Sequence, residues 1–230
     1  YRLLTAPDGA RGLEAARRHL PDLVLSDVMM PHMDGLEMCR RLKEDELTSH
    51  VPVVLLTAKA GAEHQVSGLE AGADLYIEKP FDPRVLRLLL NNLLAQRARL
   101  KEVYRNSHGE VASIDLNTTD RAFLDRAYAV LEAHYREPTF GPTPWAEALN
   151  FSARHLSRKL NALLQRSPGD VLKEYRLDAA KTLLRCAPGS ISEVVYGVGY
   201  EDHTLFSRHF KARFGQTPSA FRDARTATSS

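Results

Sequence analysis

Apolar residues in the first third of the chain gather in short continuous runs: Asp22-Leu-Val-Leu-Ser26, Val53-Val-Leu-Leu56 and Leu75-Tyr-Ile77. Each run is followed by a stretch of helical periodicity, such as that of Leu36, Cys39, Arg40 and Leu42. The alternation predicts strands and helices in the β-α-β-α rhythm of a parallel sheet. A helical pattern then extends from Pro83 to Tyr104 and breaks over residues 105–116, where the spacing predicts a linker.

Beyond the linker the pattern is helical throughout. Phe123, Ala127, Val130, Leu131 and His134 share one face; Trp145, Ala148 and Leu149 begin a short second helix; Leu156, Leu160, Leu163 and Leu164 stripe a third. A short helix, a turn at Asn150-Phe151 and a helix capped by Ser152 make helix-turn-helix grammar. The grammar then repeats. A long helix striped by Val171, Leu172, Tyr175, Ala179 and Leu183 ends near Ala187-Pro188-Gly189. Ser190-Ile-Ser192-Glu193 starts another short helix with a capping signal, and Gly197-Val-Gly199-Tyr200 makes the turn. The last long helix, Asp202 to Phe214, is expected to bury Leu205, Phe206 and Phe210 and to turn Ser207, Arg208 and Lys211 outward. Residues 226–230 read as a disordered tail.

Composition narrows the partners. With 43% hydrophobic and 26% charged residues the chain is globular. It contains no run of about eighteen apolar residues and no leader-like start, so it reads as cytoplasmic. The net charge of +2 hides an asymmetry: residues 1–119 hold 15 Lys and Arg against 17 Asp and Glu, whereas residues 120–230 hold 16 against 12. The second half is therefore the better partner for a polyanion. Cys39 and Cys186 fall in different halves without a C-x-x-C neighbour and read as buried free thiols. None of the nine histidines shows metal-ligand spacing.

In open parallel sheets the ligand site lies beyond the carboxyl ends of the strands, and Asp27, Thr57 and Lys79 each come just after a strand. An aspartate can attack a phosphoryl group, a hydroxyl can donate to one transferred oxygen, and an ammonium can neutralise another. The residues that carry this chemistry, Leu25-Ser-Asp27-Val-Met-Met-Pro31-His-Met-Asp-Gly35, Leu56-Thr57-Ala58-Lys59, Ala71-Gly72-Ala73-Asp74 and Glu78-Lys79-Pro80-Phe81, resemble the response-regulator receiver domain, a flavodoxin-like α/β fold. The resemblance implies Asp27 as phospho-acceptor, Thr57 and Lys79 as phosphoryl contacts and Tyr76 as the aromatic switch. It also implies Mg²⁺ held by Asp27 and the backbone carbonyl of Met29. Most of Met29, Met30, Met33 and Met38 are expected to fill gaps in the core.

A receiver opens with a strand ending in paired acidic residues that hold Mg²⁺, then a helix, and only then the segment matched here by Tyr1-Arg-Leu-Leu-Thr5-Ala6. Both opening elements are absent, and the missing strand is central in the family's sheet. Its loss predicts unpaired backbone at residues 2–5 and 23–26 and a half that is not phosphorylated as it stands, with no Mg²⁺ bound. A first residue that is Tyr rather than Met reads as a fragment of a longer parent.

The second half resembles the AraC/XylS family. The resemblance is carried by Leu156-Ser-Arg158-Lys159-Leu160, Ser167-Pro168, Tyr175-Arg176-Leu177, Ile191 through Gly199-Tyr200, Phe206-Ser-Arg208-His-Phe210-Lys211-Ala-Arg-Phe214-Gly215 and Thr217-Pro218-Ser219-Ala-Phe221-Arg222. It departs at Pro144-Trp145-Ala146, where a Leu-Ala pair is usual. The resemblance implies an all-α domain of two helix-turn-helix units joined by a long helix, whose recognition helices enter successive major-groove segments about 34 Å apart. Arg154, Ser157 and Arg158 in the first helix, and His203, Thr204, Ser207 and Arg208 in the second, are the candidates for base edges. Lys159, Lys211 and Arg213 are the candidates for phosphates.

The division expected is thus a truncated receiver over 1–104, a linker over 105–116 and a DNA-binding domain over 117–225. The function expected is transcriptional regulation in a two-component phosphorelay. The partners implied are double-stranded DNA, a sensor histidine kinase in cis or in trans, and a second copy through receiver faces around residues 61–90. One alternative makes the chain the tail of a hybrid histidine kinase whose ATP-dependent autophosphorylation lies upstream, with no catalysis in these residues. Another makes it a protein-interaction module without DNA affinity.

Overall fold

The computed structural model describes residues 2–58, 71–106, 117–186 and 189–226. It comprises two compact units, one of Tyr1–Leu124 with Asn161–Gln165, the other of Asp125–Leu160 with Arg166–Ser230.

The first unit is built on a three-stranded parallel sheet in the order β1 (Val24–Asp27), β2 (Val53–Thr57), β3 (Leu75–Glu78). Val24 faces Val53 and Asp27 faces Leu56; Val54 faces Leu75 and Thr57 faces Glu78. Helices α1 (Gly9–His19) and α2 (Gly35–Glu44) supply Leu13, Ala16, Met38, Cys39 and Leu42 to a core shared with Val53 and Leu55. Each helix starts on an aspartate, since the Asp8 and Asp34 carboxylates accept from the backbone N–H groups of Arg11 and Glu37 at 2.9 and 2.7 Å. The chain must pass close behind β1 to begin α2. A Cβ on Gly35 would lie 2.2 Å from the Asp27 carbonyl oxygen, so only glycine fits there. Lys43 ties α2 to the sheet through the Asp74 carboxylate at 2.7 Å and the Val51 carbonyl at 2.9 Å.

Residues 2–6 form no strand and lie exposed, and β1 pairs with β2 alone among the described residues. Leu3, Leu4 and, on β1, Leu25 are exposed. Of the four methionines, Met38 is buried, Met30 and Met33 pack against the core, and Met29 is 69% exposed. Met29 is therefore no part of the core. Burial pushes the Cys39 thiol up to about 11, consistent with an inert free thiol that donates to the Ala71 carbonyl at 3.3 Å. Helix α3 (Pro83–Asn106) runs on through the first two residues of the expected linker. The remainder of that linker, 107–116, the Cys186 side chain and the tail beyond Thr226 lie outside the described residues.

Helix α4 (Thr118–His134) begins within the first unit. Asn117 caps it by accepting from the Asp120 N–H at 2.7 Å, and the buried Asp120 carboxylate accepts from Ser49 Oγ at 2.7 Å and Asn117 Nδ2 at 3.0 Å. A buried carboxylate with such partners is held by hydrogen bonds that offset its desolvation.

The second unit is all helix: the rest of α4, then α5 (Pro142–Ala148), α6 (Ala153–Leu164, to Leu160), α7 (Pro168–Cys186), α8 (Ile191–Gly197), α9 (His203–Phe214) and α10 (Pro218–Thr226). Trp145, the single tryptophan, stands where the expected Leu-Ala pair would begin. It is buried, and its indole N–H donates to the Ala127 carbonyl at 3.1 Å, which fixes α5 on α4. Under α9 lies an aromatic cluster in which Phe210 meets Phe206, Phe214 and Phe221 with centroids 5.6, 4.6 and 5.7 Å away. Leu205 is only half-buried.

Phe210→Ala leaves a cavity in that cluster and is expected to destabilise the unit by about 3–5 kcal/mol. Trp145 emission followed through urea unfolding measures it. An unshifted midpoint would contradict the packing described.

Candidate phospho-acceptor edge and nucleic-acid interface

The sheet brings Asp27, Thr57 and Lys79 to one edge because its strands are parallel and end together. Lys79 Nζ donates to Asp27 Oδ2 at 2.5 Å, with both side chains partly exposed. The Lys79 N–H donates to the Thr57 carbonyl at 2.7 Å, which sets the ammonium's origin beside the end of β2. Thr57 itself is buried. Tyr76 packs against the core with its hydroxyl sealed from solvent and without a hydrogen-bond partner among the described residues. This is an inward position that leaves a polar atom unsatisfied.

The receiver resemblance implies Mg²⁺ at this edge. Mg²⁺ demands about six oxygens in octahedral array. The described residues offer the Asp27 carboxylate, already engaged by Lys79, and the Met29 carbonyl, and contain no group of three acidic, His or Cys side chains able to hold a metal. The donor set present does not fit the ion.

The two helix-turn-helix units share a turn at the level of single hydrogen bonds. Asn150 and Gly199 both have left-handed backbone, with φ of 59° and 80°. The Asn150 N–H donates to Glu147 and the Phe151 N–H to Ala146; the Gly199 N–H donates to Tyr196 and the Tyr200 N–H to Val195, all between 2.8 and 3.1 Å. The next helix is then capped by a side chain in each unit. Ser152 Oγ accepts from the His155 N–H at 3.2 Å, and Asp202 Oδ1 accepts from the Thr204 and Leu205 N–H groups at 2.7 and 3.0 Å. Those bonds hold the exposed Asp202 carboxyl below its usual range.

Aligning Ser152 with Asp202 sets Ser157 and Arg158 on Ser207 and Arg208, and Lys159 on His209. Arg154, Thr204, Arg208 and Lys211 are exposed, and Ser157, Arg158, His203 and Ser207 are half-buried. Two expected phosphate contacts are corrected. Lys159 is 1% exposed, because it follows Leu156 by three positions and shares its stripe with Leu160 and Leu163. Its counterpart His209 also turns inward, to the Tyr200 hydroxyl at 3.1 Å, and burial lowers its pKa. Arg213 donates to both Asp178 oxygens at 3.2 and 2.7 Å and lies 3.7 Å from Glu174, so its charge is spent on α7. A residue that the sequence reading missed is Tyr196, 59% exposed and edge-on to the His203 ring at 5.2 Å. Its signal was a large aromatic off the Ile191, Val194, Val195 and Val198 stripe of α8.

Family models match on both halves: the response regulator receiver domain over residues 1–91, and a helix-turn-helix domain over residues 145–224. Histidine kinase P4 of Formosa agariphila is 36% identical over 224 residues, 97% of this chain and 16% of that protein. Response regulator PleD of Caulobacter vibrioides is 43% identical over 117 residues, 49% of this chain and 26% of that protein. The phosphate regulon transcriptional regulatory protein PhoB of Pseudomonas aeruginosa is 35% identical over 192 residues, 80% of this chain and 79% of that protein. The chain thus spans well under half the length of the first two of these relatives. It belongs to the two-component response regulators and joins a receiver domain to an AraC-type helix-turn-helix DNA-binding domain.

Proposed function

We propose that this chain is a sequence-specific, cytoplasmic transcriptional regulator that reads two DNA half-sites with one polypeptide. The observation that carries the reading is the repeated turn, which aims α6 and α9 by the same backbone hydrogen bonds from units of one chain. Arg154, Ser157 and Arg158 would meet base edges in one major-groove segment, and His203, Thr204, Ser207 and Arg208 in the next, about 34 Å along one face. Lys211, exposed on α9, remains as a phosphate contact. Tyr196 sits beside His203 and would add a hydroxyl to the same groove edge. The receiver would occupy 1–104, the DNA-binding domain 117–225, with 105–116 between them, and neither would carry out catalysis of its own.

In a receiver whose Mg²⁺ donors are complete, control would come from Asp27 as phospho-acceptor, with Thr57 and Lys79 contacting the phosphoryl group and Tyr76 following Thr57, the donor being a sensor histidine kinase. A receiver-mediated homodimer would add a second set of half-sites. The similarity to Histidine kinase P4 along 97% of the chain favours a second reading of the parent, a hybrid kinase with its own regulator at the end. Both readings assign the same work to these residues.

Selection of the full chain on a random duplex library should yield a bipartite motif spaced by one helical turn. Arg208→Ala should relax one half at a cost of about 1–3 kcal/mol. Enrichment of nothing, or binding that fades uniformly with salt, would instead support an interaction module. In this chain, acetyl phosphate with Mg²⁺ should leave Asp27 unlabelled, because the donor set is incomplete. A label lost in Asp27→Asn would show that the edge works as it stands.

A further inference from the structure

Helix α7 is the covalent link between the two helix-turn-helix units, and a second link passes through one arginine near its middle. Arg176 Nε donates to the Tyr135 carbonyl at 2.7 Å, and Nη2 donates to the carbonyls of Glu137 at 2.7 Å and Phe140 at 3.4 Å. These oxygens lie on the segment that leaves α4 and enters α5, the first helix of the first helix-turn-helix. The segment is firm on its own account. Tyr135 and Phe140 are buried, and Phe140 lies against Trp145 with centroids 6.3 Å apart.

The second helix-turn-helix packs against the same carbonyl. A Cβ on Gly199, in the turn between α8 and α9, would lie 2.5 Å from the Tyr135 oxygen and 3.0 Å from the Arg136 carbonyl carbon. Tyr200 follows, buried, with its hydroxyl on His209 of α9. One carbonyl thus takes the Arg176 guanidinium and seats the turn that aims α9. A helix about 28 Å long fixes the separation of its two ends but leaves each unit free to pivot there. A planar group with five donors can hold several carbonyls at once and remove that freedom, which an ammonium cannot do as well.

We propose that Arg176 is a positioning residue that locks the two reading helices in one relation and thereby sets the half-site spacing that the chain accepts. The proposal rests on the DNA-binding reading above. It separates from a purely structural role because it concerns spacing, while affinity for one half-site stays as it was.

The full chain is titrated on three duplexes: the most enriched product of the random selection, the same duplex with two base pairs inserted between the halves, and the same duplex with one half scrambled. The insertion turns the far half by about 70°. The wild-type chain should lose roughly a hundredfold on it, because simultaneous engagement fails. Arg176→Gln should bind the natural spacing about tenfold more weakly, bind the scrambled duplex as the wild type does, and discriminate between the two spacings by only about threefold. Arg176→Lys, which keeps one donor toward Tyr135, should fall between. A wild-type spacing ratio in Arg176→Gln would overturn the proposal, as would an equal loss on the scrambled duplex. If Arg176→Gln lacks the cooperative Trp145 unfolding transition, Arg176→Lys decides by the same ratio. A wild-type chain that enriches no duplex overturns the DNA-binding reading itself, and is seen before any variant is made.

Discussion

Both reading helices depend on a reversal of the chain within very few residues, and that reversal depends on one left-handed residue in each unit. Without it the chain would leave the short helix in the wrong direction, and the N–H groups of Phe151 and Tyr200 could not reach back to Ala146 and Val195. Left-handed backbone is least costly for glycine and, among other residues, for asparagine. Asn150 and Gly199 are those two choices. Gly199 has the further constraint of a carbonyl at its back, so there the lack of a side chain serves both the turn and the packing of the second unit. The side chains that could touch bases are then positioned by the caps, Ser152 and Asp202, and by the buried stripes of Leu156 and Leu160 in one helix and Phe206 and Phe210 in the other.

The receiver edge follows from a different constraint. Parallel strands end at one level, so an acid, a hydroxyl and an ammonium placed after three strands must meet. The 2.5 Å contact between Lys79 and Asp27 is that meeting.

Much of this was legible in the sequence because it is periodic or punctuated. Strands ending at Asp27, Thr57 and Lys79, caps at Ser152 and Ser190, and turns at Asn150 and Gly199 all announce themselves locally. What escaped depends on which way a side chain faces at the margin of a stripe. Lys159 carries a charge that suggests solvent, yet its place three residues after Leu156 sends it inward. Arg213 looks free until α7 brings Asp178 beneath it. Tyr196 falls off its helix's buried face and is exposed. Met29 stands exposed just after β1 while the other three methionines are buried or pack against the core. Arg213 could not be settled from its own segment, since Asp178 lies 35 residues away, whereas the stripes of their own helices place Lys159 and Tyr196.

The central claim is that one chain presents two reading helices to one face of a duplex. Hydroxyl-radical footprinting of the full chain on its selected site tests it most directly. The account predicts two protected patches on the same face, about 10 base pairs apart centre to centre, present at protein concentrations where the complex is monomeric. A single protected patch, or two that appear only with a second bound copy, would contradict it.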